Sequence, residues 1–227
     1  ALPSVVRSVE APLESHHHNV TGTVNVLDRA RQTGAKVVYA GTSSAYGDQD
    51  AEYKHEGMRE EPLSPYAAAK LSGELYCRTF SRVYGLPTIS LRFFNVYGPR
   101  QVPYSPYSGV IAAFCFALLN GRAPRIDGDG GQSRDFTYVS DVARGVLAAL
   151  ETPTDGHHTV NLACGGSSTV REVFDVLRDY ASTNIEVTHG PARTGDVRHS
   201  KADVRKIREL LGFVAEVSLT DGLRKTY

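Results

Sequence analysis

The stretch Lys36-Val-Val-Tyr-Ala-Gly-Thr-Ser-Ser44 begins as a short apolar run and ends in a cluster of hydroxyl side chains. A run of this length between two helical patterns predicts a buried strand, here over Lys36–Ala40. Further along, Thr88–Phe93 predicts a second strand, which is also followed by polar residues, among them Asn95. Open α/β sheets bind ligands at the carboxyl ends of their strands. The two strand ends therefore predict one crevice lined with polar groups.

Helical patterns flank these strands, and this alternation predicts an α/β fold. A first helix is predicted over Leu13–Gln32, with Gly34 as its left-handed stop. A second helix opens at Ser64 as N-cap with Pro65 in the first helical position, and it runs to about Tyr84. We expect this helix to face inward through Leu71, Leu75 and Phe80.

Beyond Pro99 the chain becomes richer in proline and glycine, which predicts a second lobe. Its predicted elements are helix Val110–Asn120, a turn at Gly128, Gly130 and Gly131, helix Asp141–Glu151, a helix opened by a capping box of Thr169 and Glu172, and helix Ala202–Leu211 stopped by Gly212.

Composition excludes several classes of protein. Lys plus Arg and Asp plus Glu are both 25, so the formal charge is zero and no nucleic-acid-binding surface is indicated. The sequence has three cysteines, Cys77, Cys115 and Cys164, whose spacing fits neither a zinc site nor a disulfide framework. We expect all three to be reduced residues of the core. No apolar run is long enough to span a bilayer, and residues 1–10 lack a signal-peptide pattern. We therefore expect a soluble, cytoplasmic protein with no membrane partner.

Tyr66 and Lys70 form the strongest chemical signal. Four residues apart on a predicted helix, their side chains lie on one face. A tyrosine hydroxyl ionises near pH ~10, so a tyrosine that acts as a base near neutrality needs an adjacent cation. Lys70 can supply that cation, and it can also hold the ribose of a cofactor.

Four stretches together resemble the extended short-chain dehydrogenase/reductase family, in its NAD-dependent epimerase/dehydratase branch. They are Tyr39-Ala-Gly-Thr-Ser-Ser-Ala-Tyr-Gly47, Ser64-Pro-Tyr-Ala-Ala-Ala-Lys70, Leu91-Arg-Phe-Phe-Asn-Val-Tyr-Gly-Pro-Arg100 and Arg134-Asp-Phe-Thr-Tyr-Val139. The resemblance implies a Rossmann-type doubly wound parallel sheet and a smaller C-terminal substrate-binding lobe. Residues 1–100 would form the cofactor domain with the catalytic residues, and residues 101–227 mainly the substrate lobe, with some segments returning to the first domain.

The same resemblance implies a role for individual residues. Thr42 would be the catalytic hydroxyl, Tyr66 the base and Lys70 its electrostatic partner, and all three would also contact NAD. Further implied NAD contacts are Asn19 and Phe94. The implied substrate contacts are Thr42, Ser43, Tyr66, Asn95, Val110, Arg134, Arg193, Asp196 and Ser200. Ser200 would lie beside carbon 2 of the sugar, where relatives restricted to plain hexoses carry a tyrosine. Arginine side chains also suit phosphate oxygens on chemical grounds.

The implied reaction is the NAD-dependent epimerisation of a UDP-hexose at carbon 4, through a 4-keto sugar. UDP-glucose and UDP-N-acetylglucosamine are the expected substrates, and a homodimer through helices Leu13–Gln32 and Ala67–Tyr84 is the expected assembly. One alternative is a nucleotide-sugar 4,6-dehydratase, but Ser43-Ser44 stands where that class carries an acid pair. A second alternative is a non-catalytic NAD-binding relative, although Thr42, Tyr66 and Lys70 are all present.

The sequence departs from the family pattern in two places. No glycine-rich dinucleotide-binding motif precedes a helix. Since Ala1-Leu-Pro-Ser4 would align after the family's fourth strand, we expect about 80 residues, the first strand–helix units, to be missing. A truncated chain that is inactive by itself is a further alternative. The other departure is Gly41, where many relatives carry serine.

Two histidine clusters and one acidic loop suggest metal sites, but none has suitable geometry. His16-His17-His18 would point in different directions on one helix, and His157-His158 is a similar case. Asp127-Gly-Asp-Gly-Gly131 begins like a calcium loop, yet its twelfth position is Tyr138. We predict no metal site.

Overall fold

The computed structural model describes residues 1–103, 109–192 and 197–227. Its helices are α1 (Val5–Glu10), α2 (Pro12–His16), α3 (Gly22–Thr33), α4 (Pro65–Tyr84), α5 (Val110–Leu119), α6 (Val139–Glu151), α7 (Val170–Tyr180), α8 (Arg205–Leu211) and α9 (Leu219–Thr226). Its strands are β1 (Val37–Thr42), β2 (Thr88–Phe93), β3 (Asn95–Tyr97), β4 (Arg125–Asp127), β5 (Ser133–Arg134), β6 (Phe136–Tyr138), β7 (His157–Leu162), β8 (Ser168–Thr169), β9 (Thr188–Gly190) and β10 (His199–Ser200). Among these residues no helix is both long and apolar enough to cross a lipid bilayer.

The central sheet is parallel, in the order β1-β2-β7. Helices cover both of its faces. Because successive side chains of β2 point in opposite directions, this strand contacts the helices on both sides. Ile89 and Leu91 pack in one core cluster with Val142 of α6 and Ile207 of α8. On the other face Arg92 contacts Glu74 of α4. The predicted α/β fold is confirmed.

A second hydrophobic cluster lies apart from the sheet. Phe114 of α5, Phe174 of α7 and Leu223 of α9 are almost fully buried in it, together with Tyr138 of β6. The Phe114 and Phe174 rings meet edge to face, with centroids 5.9 Å apart. This cluster anchors the chain segments that carry the short strands beside the crevice described below.

Most predicted helix signals are confirmed. Ser64 accepts a hydrogen bond from the Ala67 amide, and the Thr169–Glu172 capping box forms. Gly34 and Gly212 adopt the left-handed conformation that ends their helices. The glycine turn also lies between two strands, β4 and β5, as predicted.

Several predicted boundaries were wrong. Helix Leu13–Gln32 begins at Pro12 and passes through a π-helical turn at residues 17–21, so it divides into α2 and α3. Strand β1 extends two residues past Ala40, to Thr42, because it pairs with the full length of β2. Helix α8 starts at Arg205 rather than Ala202, since Ala202 is held in a β-bridge with Lys54.

Two further corrections concern burial. Leu75 is 45% exposed, whereas Phe80 is buried and α4 turns Gly73, Glu74 and Cys77 inward. Cys77 and Cys115 are free buried thiols as expected, but Cys164 is exposed. The inward face of α4 is thus partly polar, which an apolar-periodicity argument does not detect.

Two of the three groups for which a metal site was considered, His157-His158 and the acidic loop, have structural roles. His157 and His158 begin β7, and the His157 ring contacts the hydroxyls of Thr88 and Thr159 at 2.8 and 3.0 Å. Burial lowers the pKa of His157 to about 4. Asp129 of the acidic loop forms a two-pronged ion pair with Arg198, at 2.7 and 2.8 Å.

Candidate active site

A crevice of about 530 Å³ opens at the carboxyl ends of β1 and β2. It brings together seven of the predicted site residues: Thr42, Ser43, Tyr66, Phe94, Asn95, Arg134 and Ser200. Its other described lining residues are Val5, Val6, Val9, Ser44, Gly47, Lys54, Leu63, Ser64, Ala67, Phe93 and Val197. The crevice predicted from the strand ends therefore exists. Arg193 and Asp196 lie outside the described residues.

Thr42 is the last residue of β1 and the N-cap of a 3₁₀ turn over Ser43–Tyr46. Its hydroxyl accepts a hydrogen bond from the Ser44 amide at 3.2 Å. Gly41 precedes it where β1 approaches β2 closely, since a Cβ there would lie 3.0 Å from the Leu91 carbonyl oxygen. Thr42 is consequently held in a rigid corner of the crevice, largely shielded from solvent.

Tyr66 lies in the first turn of α4, directly after the Ser64 cap and Pro65. These two residues set the direction in which the helix leaves the loop, and they aim Tyr66 into the crevice. Tyr66 and Thr42 both line the crevice, and their hydroxyls lie close enough to interact. Burial raises the pKa of Tyr66, and the interaction with the Thr42 hydroxyl opposes that shift.

Lys70 lies one turn deeper than Tyr66 on α4 and is only 6% exposed. Its ammonium sits over the Tyr39 ring, 4.3 Å from the ring centroid, and Tyr39 donates a hydrogen bond to the Lys70 carbonyl at 3.0 Å. Burial lowers the pKa of Lys70 to about 8. Burial sets the direction in which the pKa of Tyr66 is shifted in this structure.

The opposite wall is built from short strands joined by main-chain bonds. Ser200 of β10 lies beside Arg134 of β5, and the Asp135 amide donates to the Ser200 carbonyl at 2.9 Å. The Asp135 carbonyl accepts from the Asn95 amide at 3.0 Å. Arg134 donates to the carbonyls of Ser133 and Arg198. The strands thus hold Asn95, Arg134 and Ser200 in one fixed frame.

Asp135 is a structural residue of this wall that sequence reasoning missed. Its carboxylate is fully buried and accepts from the amides of Cys164, Gly165 and Ala202, at 3.0, 2.9 and 3.4 Å. Burial nevertheless raises its pKa. Asp135 stands next to Arg134 in one of the four recognisable stretches, and this could have drawn attention to it. Its role was not predictable, because its hydrogen-bond partners are distant in the chain.

Three predicted contacts do not line the crevice. Lys70 lies behind Tyr66, and Val110 begins α5 against the second hydrophobic cluster. Asn19 is buried, and its amide exchanges hydrogen bonds with the Leu2 main chain at 2.9 and 3.2 Å. Asn19 therefore fastens the segment before α1. Its contact with a cofactor stays a prediction.

Comparison with known proteins shows the family. Residues 1–163 match the model of the NAD dependent epimerase/dehydratase family. A UDP-glucose 4-epimerase of Mycolicibacterium smegmatis is 38% identical over 225 residues, which are 98% of this chain and 71% of that protein. The chain therefore belongs to the NAD-dependent epimerase/dehydratase family, as the four stretches indicated.

Two solved structures have the same fold. The first is a UDP-N-acetylglucosamine 4-epimerase from Methanobrevibacter ruminantium in complex with UDP-N-acetylmuramic acid, with a TM-score of 0.96 and 36% identity. The second is a UDP-glucose 4-epimerase from Thermotoga maritima with UDP-glucose, with a TM-score of 0.95 and 38% identity. Each match covers 100% of this chain and 73% of the other. The predicted Rossmann-type fold is confirmed.

The residues around Lys70 fit one end of NAD, the cofactor of the family. A buried ammonium needs hydrogen-bond acceptors. The Lys70 ammonium donates to no described residue and is balanced only by the face of Tyr39. Hydroxyl groups of a ribose would satisfy it, and the hydroxyls of Thr42 and Tyr66 lie one helical turn away on the crevice side. These residues would hold the ribose and nicotinamide end of the cofactor.

Proposed function

We propose that this protein is a 4-epimerase of a UDP-hexose. The observation that carries the proposal is the presence of the Thr42 and Tyr66 hydroxyls in one crevice, whose other wall presents Arg134 and Ser200. One wall offers hydroxyls for proton transfer, and the other offers a guanidinium suited to a diphosphate. A nucleotide sugar has both of the groups that these walls fit.

In the proposed reaction Tyr66 removes the proton of the sugar's carbon-4 hydroxyl, with Thr42 orienting that hydroxyl. Held by Lys70, Tyr66 and Thr42, NAD would supply the hydride acceptor for carbon 4 and the hydride donor for the return step. The 4-keto sugar turns in the crevice, and Tyr66 then gives the proton back to the oxygen on the other face. Tyr66 must first lose its own proton to act as a base. Because its pKa is raised, the phenolate form needs positive charge nearby, which is the proposed role of Lys70.

The two alternative functions are less well supported. A 4,6-dehydratase needs an acid and a base beside the catalytic hydroxyl. The described lining residues include neither Asp nor Glu, and Ser43 and Ser44 follow Thr42 directly. A non-catalytic relative has no need for the Thr42 and Tyr66 hydroxyls together in its crevice.

We also propose that the protein forms a homodimer through α3 and α4. These helices expose apolar side chains on their outer faces, among them Val26, Leu75, Val83 and Tyr84. Contiguous exposed apolar surface marks interaction sites. Burial in a dimer would explain why Leu75 points away from the core.

Sedimentation equilibrium should give twice the chain mass at micromolar concentration. Val83→Lys should shift this equilibrium to the monomer, because it places a charge in the proposed seam. Leu147→Lys, at an exposed position of α6, is the matched control and should leave the dimer intact. A single-chain mass for the unaltered protein would refute the dimer.

Ser200 is the proposed determinant of substrate range. It is half-buried beside Arg134, and its small side chain leaves room for the N-acetyl group of UDP-N-acetylglucosamine. We expect the protein with NAD to form the carbon-4 epimers of UDP-glucose and UDP-N-acetylglucosamine. Ser200→Tyr should lower kcat/KM for the N-acetylated sugar by about 50-fold and spare UDP-glucose, since a filled pocket imposes steric strain.

Product analysis by NMR checks both expectations. Ser167→Tyr adds the same ring at an exposed position outside the crevice and should change neither activity. No epimer from either sugar would contradict the proposed function. Equal losses on both sugars in Ser200→Tyr would contradict the role of Ser200 alone.

A further inference from the structure

Tyr39 lies on β1 beneath α4, in a hydrophobic cluster with Leu27, Cys77 and Phe80. It is buried, and burial raises the pKa of its hydroxyl, which therefore stays protonated near neutral pH. That hydroxyl donates a hydrogen bond to the Lys70 carbonyl at 3.0 Å. One end of the Tyr39 side chain is thus fixed to the main chain of α4, at the residue that also carries the buried ammonium.

Gly73 provides the space for this contact. A Cβ at position 73 would lie 2.3 Å from the Tyr39 hydroxyl oxygen, which is closer than non-bonded atoms can approach. Glycine within a helix is destabilising relative to alanine. The helix therefore has its smallest residue at the point where Tyr39 passes beneath it to reach Lys70.

The ring of Tyr39 lies under the Lys70 ammonium, whose nitrogen is 4.3 Å from the ring centroid. An aromatic face attracts a cation within about 6 Å of its centroid, and the attraction is stronger where water is excluded. The neutral amine gains no such attraction, so the ring favours the charged form of Lys70. It acts against burial, which lowers the pKa of Lys70 to about 8.

The other groups around this part of α4 are neutral or already paired. Burial raises the pKa of Cys77 to about 12, so its thiol is uncharged near neutral pH, and Glu74 is paired with Arg92 at 2.7 Å. The pKa of Tyr66 is raised as well. The residues buried by α1, α2, the π-helical turn and α3 are uncharged: Ser8, Ser15, Asn19, Val20, Leu27 and Ala30. In the described part of the chain, the Tyr39 ring is consequently the group that supports a charged Lys70.

We propose that Tyr39 is a positioning residue, whose ring keeps the Lys70 ammonium charged on the face of α4 that it shares with Tyr66. This inference rests on the proposed function, in which a charged Lys70 favours ionisation of Tyr66. The two ends of Tyr39 have separate roles. The hydroxyl fixes the ring to the helix, and the ring acts on the charge.

NMR of the protein labelled with carbon-13 at the lysine ε carbons tests the inference without any substrate. The Lys70 signal is assigned by its absence in K70R. In the unaltered protein the Lys70 ε protons should lie upfield of those of the other lysines, because they lie over an aromatic face, and they should titrate near pH 8. Y39F keeps the ring and should retain both signatures.

In Y39L the upfield displacement should vanish, because the ring is gone. Lys70 should also titrate about one pH unit lower, since the ammonium loses the attraction that favours it over the amine. The proposed reaction needs the charged form, which is present below this pKa and is lost as the pH rises through it. The alkaline limb of the turnover–pH profile should therefore move to lower pH in Y39L.

Y97L is the matched control. Tyr97 is also a buried tyrosine, its hydroxyl donates to the Leu219 carbonyl at 3.3 Å, and it approaches a helical glycine, Gly222. Because Tyr97 belongs to the second hydrophobic cluster, its loss should lower stability and leave the Lys70 signal and titration unchanged.

Three results would overturn the inference. An ordinary position of the Lys70 signal in the unaltered protein does so without any variant, so a Y39L chain that fails to fold does not protect it. An unchanged Lys70 titration in a folded Y39L, or an equal shift in Y97L, also does so. If the Lys70 signatures appear as expected but the protein with NAD converts no UDP-hexose, the proposed function fails, whereas the action of Tyr39 on Lys70 stands.

Discussion

Replacing Tyr66 with Phe is expected to lower the turnover of a UDP-hexose by at least about 100-fold, since general acid–base catalysis contributes factors of about 10² to 10⁴. The substitution removes the hydroxyl that is proposed to transfer the proton and leaves the ring in place. Binding of UDP should be unchanged, because the proposed diphosphate contact, Arg134, lies on the opposite wall. Turnover with NAD and the affinity for UDP are the two measurements.

The control for this substitution is Tyr76→Phe on the same helix. Tyr76 is 41% exposed and points away from the crevice, so its hydroxyl should have no effect on turnover. If Tyr66→Phe retains near-normal turnover, Tyr66 is not the base. If instead the affinity for UDP falls with turnover, the variant has disturbed the whole crevice and the proton-transfer role is not supported.

The second large effect is expected at Arg92, at the end of β2. Its guanidinium is fully buried and forms ion pairs with Glu74 at 2.7 Å and Glu60 at 2.8 Å. Arg92→Met leaves the buried Glu74 carboxylate with only the more distant Arg78, at 3.8 Å, and the Thr159 hydroxyl. Loss of one member of a buried pair costs about 3–5 kcal/mol. The free energy of unfolding, from urea denaturation, should fall by this amount.

Two further variants separate the buried pair from a general loss of charge. Arg205→Met removes an arginine that is 83% exposed and paired with Asp203, and it should cost under about 1 kcal/mol. Adding Glu74→Met to Arg92→Met should recover part of the lost stability, because the buried carboxylate is then removed and only the partly exposed Glu60 loses its partner. A loss below about 1 kcal/mol in Arg92→Met would show that the buried pair is not a major stabilising interaction.

Sequence reasoning identified the elements whose signals are local. The Ser64 cap, the Thr169–Glu172 capping box and the left-handed Gly34 each act within a few residues, so they are readable without a fold. Sequence reasoning did not predict strand β7, because the strand begins with the polar residues His157, His158 and Thr159 although the rest of it is buried. The two ring nitrogens of His157 are satisfied by the hydroxyls of Thr88 and Thr159. Thr88 belongs to the neighbouring strand β2, and Thr159 lies two residues further along β7.

The candidate site was only partly predictable for a similar reason. Thr42 and Tyr66 stand in recognisable stretches, and the structure brings them together. Lys54 lies in a loop with no periodicity, and its burial depends on a bridge to Ala202, far along the chain. Asn19 was assigned to the cofactor by resemblance, yet its amide is engaged by the main chain of Leu2.

The sequence by itself determined the α/β alternation, the helix ends and the spacing that puts Tyr66 and Lys70 on one face, because these follow from contacts between near neighbours. Only the tertiary structure decided which charges are buried and what accompanies them. It placed Lys70 against Tyr39, paired Arg92 with two carboxylates and left Lys54 facing the crevice. The physical reason is that desolvation and charge pairing depend on residues that are distant in the chain and meet only when the sheet and its helices pack.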